Sequence, residues 1–323
     1  MREFKINKND AGQRLDKFIG KAVKNLPSSL LYKSIRTKKI KVNSKRATID
    51  QILNEGDTVL LFISDEFFTD APSHVQLKMT PRLDVIYEDD NVMLLNKRPG
   101  MLSHPDDAEP GNTLIDHVTT YLYQKGEYDP EAENSFAPSL CNRIDRNTGG
   151  IVIAAKNAAS LRIMNQKIKD RELTKLYLAA VHGSFEKKSG TLTGYLIKDH
   201  NTNTVKIFDK KPSYKNAEVK SVVTKYRVLG EKNGDSLVEV DLITGRTHQI
   251  RAHMASIWHP LVGDGKYGIN RSDREKGYKY QALYSYKLKF EFTTDAGILS
   301  YLNGKSFEVA SENIWFYKDF SNL

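Results

Sequence analysis

One short charged loop in this chain holds the strongest candidate for a catalytic side chain. Residues 141–151 bring Asp145 together with two arginines, Arg143 and Arg146, and then continue into an apolar, strand-like segment. Catalytic side chains are often found on such loops, because the adjoining strand fixes the backbone while substrate can still reach the loop. Asp145 is therefore the candidate catalytic carboxylate. The alternative is a tight turn in which Asp145 or Asn147 bonds its own backbone and both arginines are solvated.

A second polar motif lies in residues 242–253, and a glycine-rich stretch follows at residues 263–268. The motif contains Arg246, His248 and Arg251. A hairpin is expected to deliver the motif, because two strand-like segments flank a glycine-containing turn at residues 230–235. The elements before each motif would therefore fix its position.

Three histidines, His248, His253 and His259, raise the alternative of a metal site. A helical zinc motif would place two histidines four residues apart, and a carboxylate pair would be expected nearby. Neither pattern is present here, and the single cysteine, Cys141, excludes a cysteine-rich metal site and an intrachain disulfide. We therefore expect no metal.

The loop around Asp145 resembles a known signature. Residues 142–150 read Asn-Arg-Ile-Asp-Arg-Asn-Thr-Gly-Gly and are similar to the sequence His-Arg-Leu-Asp-x-x-Thr-Ser-Gly of the RluA family of RNA pseudouridine synthases. The chain departs from that signature at Asn142, Ile144 and Gly149, and it keeps the family's arginine, aspartate and threonine. These departures bear on subfamily and substrate more than on the chemistry.

The second motif carries the same resemblance. Residues 242–253 and 263–268 match the RluA family almost residue for residue, and residues 281–285 lie where the family often has Gln-x-Leu-His-Ala. Tyr284 and Ser285 replace the histidine and the alanine of that stretch. Two signatures in the expected order make the resemblance specific over residues from about 85 to 290.

This resemblance implies an enzyme that converts uridine in RNA to pseudouridine. The bond from uracil nitrogen to ribose is broken, the base turns, and a carbon–carbon bond to the same sugar forms. Asp145 would act as nucleophile at the anomeric carbon or as base for the neighbouring proton. Arg251 would keep that carboxylate ionised and oriented, and Tyr177 would lie against the extruded base. No cofactor is implied, because the reaction needs no redox step or group donor.

Substrate binding is expected from residues in both motifs. Arg143 would either occupy the space left by the extruded nucleotide or hold a phosphate, and the sequence leaves both roles open. Arg246 and His248 are expected to bind the RNA as well.

By resemblance, the fold is α+β, with a mixed, mainly antiparallel curved sheet, flanking helices and a small α/β module at the amino terminus. We divide the chain into a small RNA-binding module at residues 1–65, a linker at residues 66–80 and a catalytic domain at residues 81–323. An acidic segment around Pro130 is expected to face solvent. Asp10 is expected to cap the first helix.

A dense basic run supports RNA binding by the amino-terminal module. Residues 33–46 contain seven basic residues and no acidic one, which suits phosphate binding. This stretch resembles the αL RNA-binding module of a small-subunit ribosomal protein, and Lys38, Lys39 and Lys41 are the expected contacts. The alternative is a solvated basic surface.

Composition agrees with a polyanionic partner. Lysine and arginine outnumber aspartate and glutamate by 49 to 40 in 323 residues, a formal charge of +9. The amino terminus lacks the apolar core of a signal peptide, a single cysteine suits a reducing cytoplasm, and the longest apolar runs are too short to span a bilayer. We expect a cytoplasmic protein without membrane contact, and we expect it to be a monomer. The expected substrate is large-subunit ribosomal RNA, with transfer RNA as the alternative. A non-catalytic RNA-binding or ribosome-assembly factor is the competing function.

Overall fold

The structure is a computed structural model that describes residues 1–68, 79–106, 110–214 and 217–320. Within these ranges the chain forms a four-stranded sheet near the amino terminus and an eleven-stranded sheet in the remainder. None of the helices in those ranges is long and apolar enough to cross a bilayer. The predicted α+β fold with a mainly antiparallel sheet is confirmed. Most of the predicted linker, residues 69–78, lies outside the described residues.

Residues 1–68, called the amino-terminal unit below, fold around their own core. The helices and strands are β1 (Arg2–Lys5), α1 (Leu15–Ala22), α2 (Ser28–Arg36), β2 (Ile40–Val42), β3 (Lys45–Arg46) and β4 (Thr58–Leu61). Helix α1 buries Leu15, Phe18 and Ile19 completely, as the spacing of an amphipathic helix requires. Phe67 and Phe68 pack against the same core, although the sequence assigned both residues to the linker.

The predicted role of Asp10 as a helix cap is wrong. Helix α1 begins at Leu15, with Arg14 at the N-cap position. Asp10 is instead fully buried, and its carboxylate accepts hydrogen bonds of 2.6 Å from the Asn134 side chain and from the Ser135 hydroxyl. A buried carboxylate needs such partners, and here they come from a distant part of the chain.

These bonds belong to a larger contact, which we call the polar dock. It joins Asn7, Asn9, Asp10 and Gln13 of the amino-terminal unit to Glu133, Asn134, Ser135 and the backbone of Ala158. Glu133 accepts a hydrogen bond of 3.1 Å from Asn7, so the acidic segment does not simply face solvent as expected. Most of its bonds join polar side chains, so the dock fixes orientation more than it buries apolar area.

The large sheet orders its strands β11-β10-β12-β13-β9-β14-β8-β6-β5, with β7 paired to β8 and β15 paired to β14. The strands are β5 (Val85–Glu88), β6 (Val92–Lys97), β7 (Ser139–Leu140), β8 (Gly149–Ala155), β9 (Leu173–His182), β10 (Ser189–Asp199), β11 (Thr204–Phe208), β12 (Lys220–Lys232), β13 (Asp235–Leu242), β14 (Leu283–Phe290) and β15 (Ser306–Glu308). Of the pairings in the described ranges, β8 with β14 is parallel and the others are antiparallel.

Both faces of this sheet are covered near its centre. The helices are α3 (Leu114–Gln124), α4 (Ala158–Lys169), α5 (Gln249–Ser256) and α6 (Arg271–Glu275). Met164 of α4 packs into one core, and Val118 of α3 and Met254 of α5 pack into the other. Every residue of β8 is therefore buried, which explains its uninterrupted run of apolar and small residues.

Candidate active site

The Asp145 loop connects β7 to β8, which pair antiparallel. Two bonds close the base of the loop: the Cys141 amide donates to the Ile153 carbonyl at 2.7 Å, and the Ile153 amide donates to Asn142 Oδ1 at 2.8 Å. Within the loop, the Thr148 amide donates to the Asp145 carbonyl at 3.0 Å. Asn142, a departure from the family signature, therefore has a structural role in holding the loop.

Arg251 on α5 is the cation that reaches Asp145. Its Nη1 donates to Asp145 Oδ2 at 3.0 Å, while Nε and Nη2 donate to the two carboxylate oxygens of Asp264 at 2.7 and 2.8 Å. Burial alone would lower the pKa of Arg251, but Asp264 and Asp145 raise it above its ordinary value. The guanidinium is thus fixed by the two-bond contact with Asp264, and its Nη1 donates to Asp145.

Asp264 is the counter-ion that sequence analysis missed. Its side chain is fully buried, and burial would raise its pKa, but Arg251 and the amides of Lys266 and Tyr267 hold that pKa below its usual value. In the sequence, Asp264 stands out only as part of the glycine-rich match at residues 263–268. The available signal for a counter-ion was the position of Asp264, which lies between two glycines shortly after the motif that contains Arg251.

Tyr177 of β9 lies beside β14, opposite Ser285. The tyrosine is buried, and burial raises the pKa of its hydroxyl to about 12; Asp145 adds to the shift and a hydrogen bond with Ser285 opposes it. The hydroxyl is therefore protonated at neutral pH. The structure places Arg251 in contact with Asp145 and Tyr177 close enough for Asp145 to raise its pKa.

His248 also faces Asp145, with Nε2 at 3.8 Å from Oδ2. Its Nδ1 lies 2.9 Å from the Tyr267 hydroxyl, which accepts a bond of 2.8 Å from the Val205 amide. The tyrosine can donate its own proton to Nδ1, and this arrangement assigns the proton of the neutral ring to Nε2, toward Asp145. Burial lowers the pKa of His248, only partly opposed by Asp145, which favours the neutral ring.

Lys97, at the end of β6, is a second residue to which the sequence assigned no role. Its side chain is buried, and Nζ donates to the carbonyl oxygens of Met101 at 2.8 Å and Arg146 at 2.9 Å. Burial lowers the pKa of Lys97 to about 7, opposed by Asp145. Arg146 directly follows Asp145 in the chain, so Lys97 holds the backbone of the Asp145 loop.

The remaining predicted residues are exposed or half-exposed. Arg143 and Arg246 are exposed on the loops that bear Asp145 and His248. Lys38 and Lys39 are exposed and Lys41 is half-exposed in the amino-terminal unit, on the other sheet.

The three histidines considered for a metal have separate partners. Nδ1 of His253 lies 2.7 Å from the Thr224 hydroxyl, and the His259 ring stacks on Phe185 at 3.8 Å between centroids. Within the described ranges, no group of three histidine, cysteine or acidic residues is placed to hold a metal ion.

Two departures from the family pattern, Gly149 and Tyr284, are partners in the structure. They face each other across the parallel pair β8–β14, and a Cβ atom on Gly149 would lie 2.4 Å from the Tyr284 ring. The Tyr284 hydroxyl donates to Asn96 Oδ1 at 2.6 Å. The Tyr284 ring therefore fills the space that a side chain at position 149 would occupy.

We expect Gly149→Ser to destabilise this chain by about 1–3 kcal/mol, because added atoms in a packed core force neighbours to shift. Gly149→Ser combined with Tyr284→His should recover part of that loss, since the smaller ring makes room for the serine. The measurement is denaturant unfolding of both single variants and the double variant. Strictly additive free energies of unfolding would show that the two positions are not coupled.

Comparison with known proteins identifies the family. A family model described as RNA pseudouridylate synthase matches residues 91–256. A protein of Mycoplasma capricolum named an uncharacterized RNA pseudouridine synthase is 32% identical, over 94% of this chain and 96% of that one. A protein of Buchnera aphidicola named ribosomal large subunit pseudouridine synthase C is 32% identical, over 83% of this chain and 81% of that one.

A solved structure shares the fold. Human RNA pseudouridylate synthase domain containing 1 superimposes with a TM-score of 0.52 at 24% identity, over 67% of this chain and 83% of that one. With the family match over residues 91–256 and the similarity to the Mycoplasma protein along nearly the whole chain, this chain belongs to the RNA pseudouridylate synthase family.

Proposed function

We propose that this RNA pseudouridine synthase acts on large-subunit ribosomal RNA, with Asp145 as its catalytic carboxylate. One observation carries the assignment of Asp145: a buried arginine, held by a second carboxylate, directs its Nη1 at Asp145 from 3.0 Å. This charge-assisted hydrogen bond orients the carboxylate, as a nucleophile or base at the ribose requires. About 26% of the Asp145 side chain is exposed, so substrate can reach it.

The reaction conserves every atom of the uridine. The bond from N1 to the anomeric carbon breaks, the bond from C5 to the same carbon forms, and the C5 proton is lost while N1 gains one. Asp145 acts at the sugar, and Arg251 orients its carboxylate. The Tyr177 ring packs against the detached base, and its hydroxyl, with a pKa near 12, donates a hydrogen bond and does not serve as a ready phenolate base.

Positive side chains around the centre suit the RNA backbone. Arg143 and Arg246 are exposed on the two loops that border Asp145, and His248 presents a neutral ring beside the carboxylate. A uridine in folded RNA must be extruded to reach Asp145, which costs a few kcal/mol that phosphate contacts must offset. We assign that role to Arg143 and Arg246.

The proposal of ribosomal RNA rests on relatives. Proteins named ribosomal large subunit pseudouridine synthase C from Buchnera aphidicola and Vibrio cholerae are 32% and 29% identical to this chain. The test is to map pseudouridines in ribosomal and transfer RNA from cells with the gene, without it, and with an Asp145→Asn copy. We expect one or more large-subunit sites to depend on Asp145, and loss confined to transfer RNA would overturn the proposed substrate.

We further propose that the amino-terminal unit binds RNA and contributes no catalytic group. The segment from Lys38 to β3 exposes a cluster of cations: Lys38, Lys39, Lys45 and Arg46, with Lys41 half-exposed. The Lys41 ammonium lies 5.5 Å from the Phe62 ring, and that ring is itself 41% exposed. Dense positive charge beside an exposed aromatic ring suits an RNA strand.

Cytoplasmic location and a monomeric state remain expectations from the sequence.

Neutralising Lys38, Lys39 and Lys41 to glutamine should weaken RNA binding and flatten its salt dependence, by roughly one unit of slope for each lost phosphate contact. Binding is measured across a salt series by fluorescence anisotropy with a labelled transcript. The matched control neutralises three exposed lysines of the same unit, Lys8, Lys17 and Lys24. Equal slopes in wild type and the first variant would move the RNA contact elsewhere, the lysine-rich segment at residues 187–225 being the next candidate.

A further inference from the structure

The end of helix α5 has a tryptophan where a glycine is favoured. After the C-cap residue Ile257, Trp258 adopts a φ of +67°. Its amide donates to the Ala255 carbonyl at 3.1 Å, and the His259 amide donates to the Met254 carbonyl at 2.9 Å. This bond pattern ends many helices, and its left-handed residue is most often glycine. A bulky side chain is strained in that conformation.

Trp258 is also exposed to solvent. It and Ile269 are each 90% exposed, and both line an open cavity of about 560 Å³, together with Pro260, Lys266 and Tyr267. Water contact with two large apolar side chains is unfavourable. The strained backbone and the exposed apolar surface thus coincide at one residue, which indicates a function other than stability.

This cavity shares a wall with the active site. Tyr267 lines the cavity, its hydroxyl lies 2.9 Å from His248 Nδ1, and the Arg251 guanidinium lies 5.2 Å from its ring centre. Lys266 supplies a positive charge at the rim, and its backbone amide donates to Asp264 at 2.9 Å. A ligand in the cavity would therefore lie next to the turn that carries Asp264 and Tyr267 toward the Asp145 site.

We propose that Trp258 is a stacking platform for an unpaired base of the RNA substrate, a neighbour of the target uridine, with Lys266 close to its phosphate. This inference rests on the proposed function. Extruding a uridine unstacks the adjacent bases, and an exposed aromatic ring holds such a base whatever its identity. The net charge of +9 and the continuity with the active site favour a nucleotide over an apolar peptide.

The protein provides its own optical probe for a test. The chain has two tryptophans, and the indole N–H of the other, Trp315, is buried without a hydrogen-bond partner. Trp315→Phe removes only that unsatisfied donor and part of the ring, so it should fold and leave Trp258 as the single tryptophan. The RNA is a transcript of the ribosomal region in which mapping locates the pseudouridine, and Asp145→Asn is added to keep it unreacted.

We expect the transcript to quench Trp258 fluorescence as it saturates the protein. Trp258→Ala should weaken RNA binding roughly fivefold to a hundredfold, the range for loss of one base–aromatic stack, and Trp258→Phe should weaken it less. The salt slope should not change, since no phosphate contact is lost. Ile298→Ala, which truncates an exposed apolar residue on the short helix Gly297–Leu302, is the control and should bind normally.

A glycine variant separates function from folding. Trp258→Gly should be at least as resistant to heat as Trp258→Ala, because glycine adopts the left-handed backbone without strain. It should nevertheless bind RNA as weakly as the alanine variant and raise KM more than it lowers kcat. The proposal would be overturned if Trp258→Gly were less stable than Trp258→Ala and lost RNA affinity only to the extent that it unfolded.

Two further outcomes also overturn it. In the first, the wild-type enzyme isomerises the transcript, but the transcript does not quench Trp258 fluorescence and Trp258→Ala does not weaken RNA binding. The second is a dimer, detected by light scattering, that Trp258→Ala dissociates without changing RNA affinity; the patch would then bind a second copy of the chain. If wild type bound RNA with quenching but formed no pseudouridine, the proposed function would fail and the stacking platform would stand.

Discussion

Replacing Asp145 with asparagine is expected to abolish pseudouridine formation, by at least about a thousandfold, while the fold and RNA affinity stay close to wild type. Asparagine has nearly the same shape and keeps an oxygen that can accept the bond from Arg251 Nη1, which spans 3.0 Å in the native chain. It lacks the negative charge that a nucleophile or base at the ribose requires. The change therefore removes the chemistry and leaves the packing.

The measurement is digestion of reacted RNA to nucleosides and chromatographic separation of uridine from pseudouridine, which have equal mass. Thermal unfolding and anisotropy of a labelled transcript serve as controls for fold and binding. Turnover by the asparagine variant would show that another group acts at the sugar. An inactive wild type that still bound the mapped RNA would instead support the non-catalytic scaffold considered from the sequence.

The second large effect is expected at Arg251, and it has two causes that can be separated. Arg251→Met leaves the carboxylate of Asp264, whose side chain is fully buried, without its cation. Breaking one side of a buried ion pair costs about 3–5 kcal/mol. The same change leaves Asp145 without its oriented donor, so both stability and activity should fall.

Arg251→Met combined with Asp264→Asn should regain part of the lost stability, because the buried charge is removed and the asparagine oxygen can still accept from the amides of Lys266 and Tyr267. Activity should remain near the level of the single variant. Denaturant unfolding and single-turnover rates are measured on both proteins. Recovery of turnover in the double variant would mean that Arg251 only neutralises Asp264 and has no direct effect on Asp145.

The parts of the site that follow from short motifs were predictable. The pairing of Asp145 with Arg251 joins two stretches that each resemble a family signature, and the structure has that bond. The role of Asp264 was not predictable, because a sequence does not tell which of two carboxylates a buried arginine contacts twice. Lys97 was missed for a related reason, since its partners are backbone carbonyls on two different loops.

Contacts between distant segments account for the other differences. Asp10 has the residue type and position of a helix cap, but Asn134 and Ser135 bind its carboxylate. Gly149 and Tyr284 looked like two unrelated departures from a family pattern. They become one feature only through the register of β8 against β14, and strand register depends on the packing of the whole sheet.

The polar dock has a consequence for the choice of substrate uridine. Hydrogen bonds from Asn7, Asp10 and Gln13 to residues 133–135 keep the amino-terminal unit at a set distance and angle from Asp145. A freely tethered module would raise the local concentration of RNA over many positions. The amino-terminal unit is instead docked. If the cations between Lys38 and β3 hold the RNA as proposed, Asp145 can reach only those uridines that lie a fixed distance from that contact.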